Sequence, residues 1–186
     1  MLTRRDYQII DFINDFKAVR SDHIQRIFRV SPTVANRRLA EIFRQKKVKR
    51  HRNTFTMHYL YYTTEKPTEH KILVTEFYTR LVETGGEFEE FKTEYSIKNL
   101  RADAFCIYRY QGFRYFLFLE VQLSNIPADI AKYERLYLSG YPWPTFPRIV
   151  IVSDRPVKAQ TNLHIIHIPT TFEKFETIFK IKNPGY

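Results

Sequence analysis

Apolar positions set the first pattern in the chain. In "TRRDYQIIDFINDF" (3–16), Tyr7, Ile10, Phe12, Ile13 and Phe16 fall on one broad face at helical spacing. Thr3 is the predicted N-cap, and Asp6 three residues on gives the start a capping-box character. Ser21 caps a second, short helix, "SDHIQRIF", that buries Ile24, Ile27 and Phe28. "SPTVANRRLAEIFRQKK" predicts a third helix. Ser31 stands at its N-cap and Pro32 at N1, where an amide has no helical partner in any case. Val34, Ala35, Leu39 and Ile42 turn inward, while Thr33, Asn36, Arg37, Arg38 and Arg44 point elsewhere. The period then changes to two: "VKRHR" and "MHYLYY" read as the strands of a hairpin around Asn53, Thr54, Phe55 and Thr56.

The polar stretch "TTEKPTEHK", with Pro67 inside it, predicts a boundary near residue 65, hence domains over 1–65 and 66–186. A helix follows over "EHKILVTEFYTRLVET", with Ile72, Leu73, Phe77, Leu81 and Val82 apolar at helical spacing and Gly85-Gly86 as its stop. Three strand-like runs come next: "FEEFKTEYS", "RADAFCIYRY" and "RYFLFLEVQLS". "QG" at 111–112 makes a tight turn between the last two. A helix over 127–138, strands at 148–153 and 163–168, and a closing helix over "TTFEKFETIF" complete the series. The order αβββαβ, then another strand and helix, predicts an α/β domain on a mixed sheet, so the chain as a whole is α+β/α/β.

Charge changes the picture of the first domain. The formal net charge is +10. Residues 1–62 carry 14 Lys and Arg against 5 Asp and Glu, whereas residues 63–186 carry 16 against 15. Cations gathered on one domain favour a polyanionic partner, double-stranded DNA first. Three helices and a basic hairpin then read as a winged helix-turn-helix whose third helix enters the major groove. Ser31, Thr33 and Asn36 become candidates for base edges, and Arg37 and Arg38 for base edges or phosphate. Arg44 joins the DNA-binding set, and Lys46, Lys47, Lys49, Arg50 and Arg52 are expected to supply phosphate contacts from the helix end and wing. The competing reading is a protein-docking module with solvated helices.

The second domain carries a different puzzle. Alternation puts Phe116, Phe118, Glu120 and Gln122 on one side of their strand, and Asp103 shares a face with Phe105 and Ile107 on the hairpin partner. Two desolvated carboxylates repel and tend to take up protons, unless a hard divalent cation such as Mg²⁺ or Mn²⁺ lies between them. The plain alternative is a strand-end Glu120 paired with Arg101, Arg109 or Lys132, with Asp103 only turning the chain. Tyr133 and Tyr137 read as core aromatics, Cys106 as a packed small hydrophobe, and His51, His58, His164 and His167 as structural. "YPWPTFP" (141–147) reads as a rigid connection. With 5 glycines in the chain, neither GxGxxG nor a Walker A loop occurs.

Asp103 followed by Glu120-Val121-Gln122 resembles the signature of the PD-(D/E)XK nuclease superfamily, whose core is αβββαβ. With the winged helix in front, and with "LRADAF" and "FLEVQLS" where that family has similar strings, the chain resembles the replication-relaxation family of plasmid and mobile-element proteins. The resemblance implies Asp103 and Glu120 as metal ligands, with Gln122 where the superfamily has a lysine that orients the attacking water. Lys132 on the next helix is the candidate substitute, and Glu76 the first choice for a further acid, with Glu83 and Glu94 behind it. Ala102 stands where the motif has proline. An amide at Gln122 supplies no positive charge to a developing phosphorane.

The expected function is therefore that of a DNA-binding protein of a plasmid, phage or conjugative element, acting in replication or transfer initiation or its regulation. Two alternatives stand beside it. One is a metal-dependent DNA endonuclease using Asp103, Glu120 and Gln122. The other is a regulator that recruits a replication or transfer protein through an inactive second domain. A homodimer is the usual form of such binders. "MLTRRDYQII" has no apolar region followed by a small-residue cleavage site, and no apolar run reaches membrane-spanning length, so a cytoplasmic protein is expected.

Overall fold

The computed structural model describes residues 1–53, 58–157 and 160–180. The chain divides into two compact units, Met1–Glu83 and Thr84–Tyr186. In fold class it combines helices with an antiparallel three-stranded sheet and a mixed five-stranded sheet, an α+β arrangement. No helix among the described residues is long and apolar enough to cross a membrane.

The first unit runs α1 (Arg4–Phe16), β1 (Val19–Arg20), α2 (Ser21–Phe28), α3 (Pro32–Arg44), β2 (Lys49–Arg52), β3 (Tyr59–Tyr62) and α4 (Glu69–Thr84). Its sheet has the order β1-β3-β2, with Arg50 opposite Tyr61 and Arg52 opposite Tyr59. Thr54, Phe55 and Thr56, expected at the hairpin tip, lie outside the described residues, as does Met57. The expected caps at Thr3 and Ser31 are present: Thr3 and Asp6 form a reciprocal box, and Ser31 Oγ accepts the Val34 amide at 3.3 Å. The second helix begins one residue earlier than its spacing suggests. Arg20 is its N-cap, and its amide donates to Nδ1 of His23 at 3.3 Å.

Two core expectations change. On α1 the inward stripe is Asp6, Ile9, Phe12, Ile13 and Phe16, while Tyr7 is 53% exposed and Ile10 only half-buried. The stripe is rotated because Asp6, fully buried, is drawn inward by Arg38 of α3. Helix α4, assigned from the sequence to the second domain, packs within the first unit. Its Thr75 hydroxyl donates to the Ala18 carbonyl at 2.7 Å, Tyr78 lies against Phe12 and Phe16, and Ile72 joins Ala18 and Leu60 in one cluster. The Pro67 stretch is thus a connection between β3 and a helix of the same unit, and the division falls between Glu83 and Thr84 instead of near residue 65.

The second unit holds β4 (Glu87–Ile97), β5 (Leu100–Tyr110), β6 (Phe113–Val121), α5 (Ala131–Leu138), β7 (Arg148–Val152) and β8 (Ile165–Ile168). The sheet order is β4-β5-β6-β7-β8. The first three strands form an antiparallel meander, and β6, β7 and β8 are parallel, so α5 belongs to a crossover. Tyr133 and Leu136 of α5 pack on Phe105, Phe118, Ile149 and Ile151. Trp143 of the proline-aromatic loop lies 4.9 Å from Phe105 and 5.5 Å from Phe118, ring to ring. The closing helix is reduced to a single 3₁₀ turn, Phe175–Phe179. Phe172 and Lys174 adopt φ of 60° and 61°, left-handed positions that no right-handed helix passes through.

One irregularity positions the acids. Leu100 and Ala102 share a cluster with Phe105 and Ile107, so the two-residue alternation of β5 changes phase between Ala102 and Phe105. Across the ladder, Thr93 pairs with Ala104 and Tyr95 with Ala102, which sets Glu94, at φ 51°, beside Asp103. Both strands turn over at the same level, and Asp103 sits at that point.

Candidate functional site

On the first unit, α3, the turn after it and β2 carry the candidate cations. Arg37, Lys46, Lys47 and Lys49 are exposed, and none forms an ion pair with a described residue. Arg44 is exposed and pairs with Glu41 one turn before it. Arg52 is exposed beside the Tyr59 ring. Ser31, Thr33 and Asn36 are exposed near the start of α3.

Arg38 departs from the expected role. Its guanidinium makes a two-point pair with Asp6, with Nε 2.6 Å from Oδ1 and Nη2 on Oδ2. Burial alone would raise the Asp6 carboxyl, but Arg38 and the Thr3 amide and hydroxyl outweigh it and hold the carboxyl at about 2. Arg38 is therefore a structural tie between α1 and α3. Nothing in the spacing separates Arg37 from Arg38; only the partner on α1 does.

Glu76 also departs. The family resemblance makes it a metal ligand beside Asp103 and Glu120, but it lies on α4 in the first unit, nearly buried among cations. Arg26 reaches both of its oxygens at 2.8 and 3.0 Å, Arg80 Nε lies 2.7 Å away, and Arg20 and His23 Nε2 are each at 3.1 Å. Burial opposes its charge, yet His23, Arg26 and Arg80 together hold its carboxyl well below the ordinary range. Glu83, the second choice, takes Arg26 at 2.7 Å. Asp22, His23 and Glu76 are the one grouping of three metal-type ligands among the described residues. Three guanidinium groups on Glu76 make that place repulsive to a cation. Burial pushes the His23 pKa down, and with Nδ1 accepting the Arg20 amide the neutral ring donates from Nε2 to Glu76.

On the second unit, the acids gather at the end of the β5–β6 ladder, whose last pair is Ala104 with Leu119. Asp103 Oδ2 accepts the Val121 amide at 2.6 Å, taking the place of a strand carbonyl. Glu120 Oε1 receives both the Lys132 ammonium and the Tyr133 hydroxyl. Lys132 also donates to the Arg101 carbonyl at 2.7 Å. Burial pushes the Glu120 carboxyl up; Lys132 and Tyr133 pull it back, and the Asp103 charge adds to the rise. Asp103, Glu120 and Lys132 thus share one electrostatic neighbourhood.

Gln122, placed by the resemblance where the superfamily has a lysine, turns its amide to the loop that follows β6. Its Nε2 donates to Ser124 Oγ and to the Ile126 carbonyl, so the side chain pins the loop after β6. A small cavity of about 100 Å³ opens there, lined in part by Gln122, Ser124, Ser153 and Arg155 at the carboxyl ends of β6 and β7. Glu94 is exposed, with Arg101 at 3.7 Å. The sequence left Tyr133 as a core aromatic. It is fully buried, and its hydroxyl pKa is raised by burial and by Glu120. Its adjacency to Lys132 on a helix facing the sheet is the only signal of that role. Carboxylate oxygens such as those of Asp103 and Glu120 are the donor type that hard divalent cations take, and one Glu120 oxygen is engaged by the Lys132 ammonium.

Comparison with protein-family models, with curated proteins and with solved structures returns no match.

Proposed function

We propose that the protein is a duplex-DNA-binding protein of the winged helix-turn-helix kind, serving replication or transfer initiation, or its regulation, in a plasmid, phage or conjugative element. The second unit is a PD-(D/E)XK-like module. The sheet order β1-β3-β2 behind three helices supports the first part. The observation that carries it is how the charges are sorted. The buried or half-buried acids of the first unit, Asp6, Asp22, Glu41 and Glu76, sit on Arg38, Arg20, Arg44, Arg26 and Arg80. Arg37 on α3, Lys46 and Lys47 in the turn after it and Lys49 on β2 are left facing water, as are Arg4, Arg5 and Arg29 elsewhere in the unit. Such a surface binds phosphates with a strong dependence on salt.

The test is a titration of labelled duplex at several salt concentrations. Changing Lys46, Lys47 and Lys49 together to alanine should weaken binding and lower the log–log salt slope by about 2 to 3. Absence of duplex binding by the wild type at low salt would sink the reading.

A second reading is metal-dependent cleavage of a phosphodiester, favoured by one observation: Lys132 reaches Glu120 from the helix after the strand. In that reading Asp103 and Glu120 would hold Mg²⁺, and the ion would supply Lewis-acid chemistry for a water and a phosphoryl group. Lys132 supplies the positive charge that Gln122 lacks. Incubation of supercoiled plasmid with wild type and Glu120→Gln in Mg²⁺ or Mn²⁺ tests it; equal nicking by the two removes Glu120 from the chemistry.

A further inference from the structure

A groove of about 840 Å³ runs across the first unit between the start of α2, the middle of α3 and the hairpin. Arg50 forms part of its wall. The guanidinium of Arg50 is sandwiched between two rings, 4.2 Å from the Phe43 centroid and 4.4 Å from that of Tyr59. With both faces covered, only its N–H edge can meet a ligand.

On the opposite wall, Gln25 Nε2 donates to Ser21 Oγ at 3.3 Å, and Ser21 Oγ donates to Asn36 Oδ1. That contact takes one lone pair of the Asn36 carbonyl and ties it to α2, while its amide N–H groups stay available to a ligand. An asparagine reading adenine turns both its donor and its acceptor to one base edge. With its acceptor engaged by Ser21, Asn36 offers its donors most freely. Asp22, also on this wall, is taken up by Arg20 at 2.9 Å. Arg50 and Asn36 therefore present donors from two sides to a ligand rich in acceptors, and the groove is wider than any single small anion.

We infer that this groove seats the sugar–phosphate backbone of one strand of a DNA duplex, with Arg50 as an edge-on phosphate clamp and Asn36 as a phosphate donor instead of a base reader. The inference rests on the DNA-binding reading and refines it. The guanidinium shape at Arg50 matters as well as its charge, since the stack and the forked donors are lost in lysine while the charge is kept.

The test compares Arg50→Lys with Arg135→Lys, an exposed arginine of α5, on the full chain, using a fluorescein-labelled mixed-sequence duplex and the matching single strand. Thermal midpoints establish that each variant is folded. Arg50→Lys is expected to bind the duplex about tenfold more weakly with an unchanged salt slope, whereas Arg135→Lys binds as wild type. Tyr59→Leu, which uncovers one face of the guanidinium and keeps every charge, should weaken binding in the same direction. Asn36→Asp, placing a negative charge in the groove, should weaken binding to every duplex sequence alike. Wild-type affinity in Arg50→Lys, or loss at Asn36 confined to one base sequence, overturns the clamp while leaving DNA binding intact. An Arg50 effect on the single strand and none on the duplex overturns the duplex assignment. Failure of the wild type to bind either probe overturns both readings.

Discussion

Two neighbouring arginines divide structure from surface. Arg38→Ala leaves the buried Asp6 carboxylate without its partner, a loss of about 3 kcal/mol that chemical denaturation would read. Arg37→Ala should change stability by less than about 0.5 kcal/mol and weaken duplex binding instead. Acid provides a second check. The Asp6 carboxyl is depressed from an ordinary 3.8 to about 2, so its contribution is complete above the ordinary value and is lost as pH falls through the depressed one. Asp6→Asn should flatten the acid limb of stability against pH between those values. Glu120 runs the other way: its carboxyl is raised, chiefly by burial, so charging it opposes folding as pH rises through the carboxylate range. Lys132→Met removes a group that lowers it, and a carboxyl-carbon NMR titration should show the Glu120 midpoint move further up.

Elements whose residues repeat at a clear period were readable in advance. The 3.6-residue spacing in 3–16 and the Ser31-Pro32 start correspond to α1 and α3, and the strand-like runs around "FLFLEV" became the sheet centre. The misplacements have physical causes that no periodicity carries. Helix α4 buries Thr75, Glu76 and Thr79 as well as its apolar stripe, because α2 offers Arg26 and His23 and the Ala18 carbonyl accepts a hydroxyl. Its allegiance depends on those long-range partners, which Pro67 gives no hint of. Strand β5 likewise looks like plain alternation, yet its phase changes at Asp103 opposite a left-handed Glu94. That is why Asp103 meets the Val121 amide when simple alternation would place it on the Phe105 face. The role of α4 is testable: Glu76→Ala leaves Arg20, Arg26 and Arg80 without their shared anion. It should destabilise the first unit by about 3 kcal/mol in a urea titration.

Across the whole molecule, charge and packing are shared unequally between the two units. The first, residues 1–83, carries 17 Lys and Arg against 9 Asp and Glu, and the second, residues 84–186, carries 13 against 11. The aromatic-rich sheet core belongs to the second, and at its heart lies the single cysteine of the chain, Cys106, 1% exposed, with burial pushing its thiol pKa up. A thiol so placed has no reagent access while β4, β5 and β6 stay zipped. The molecule consequently carries its own stopwatch. The rate at which an aromatic disulfide modifies native protein reads how often the sheet parts, with no background from any second sulfhydryl.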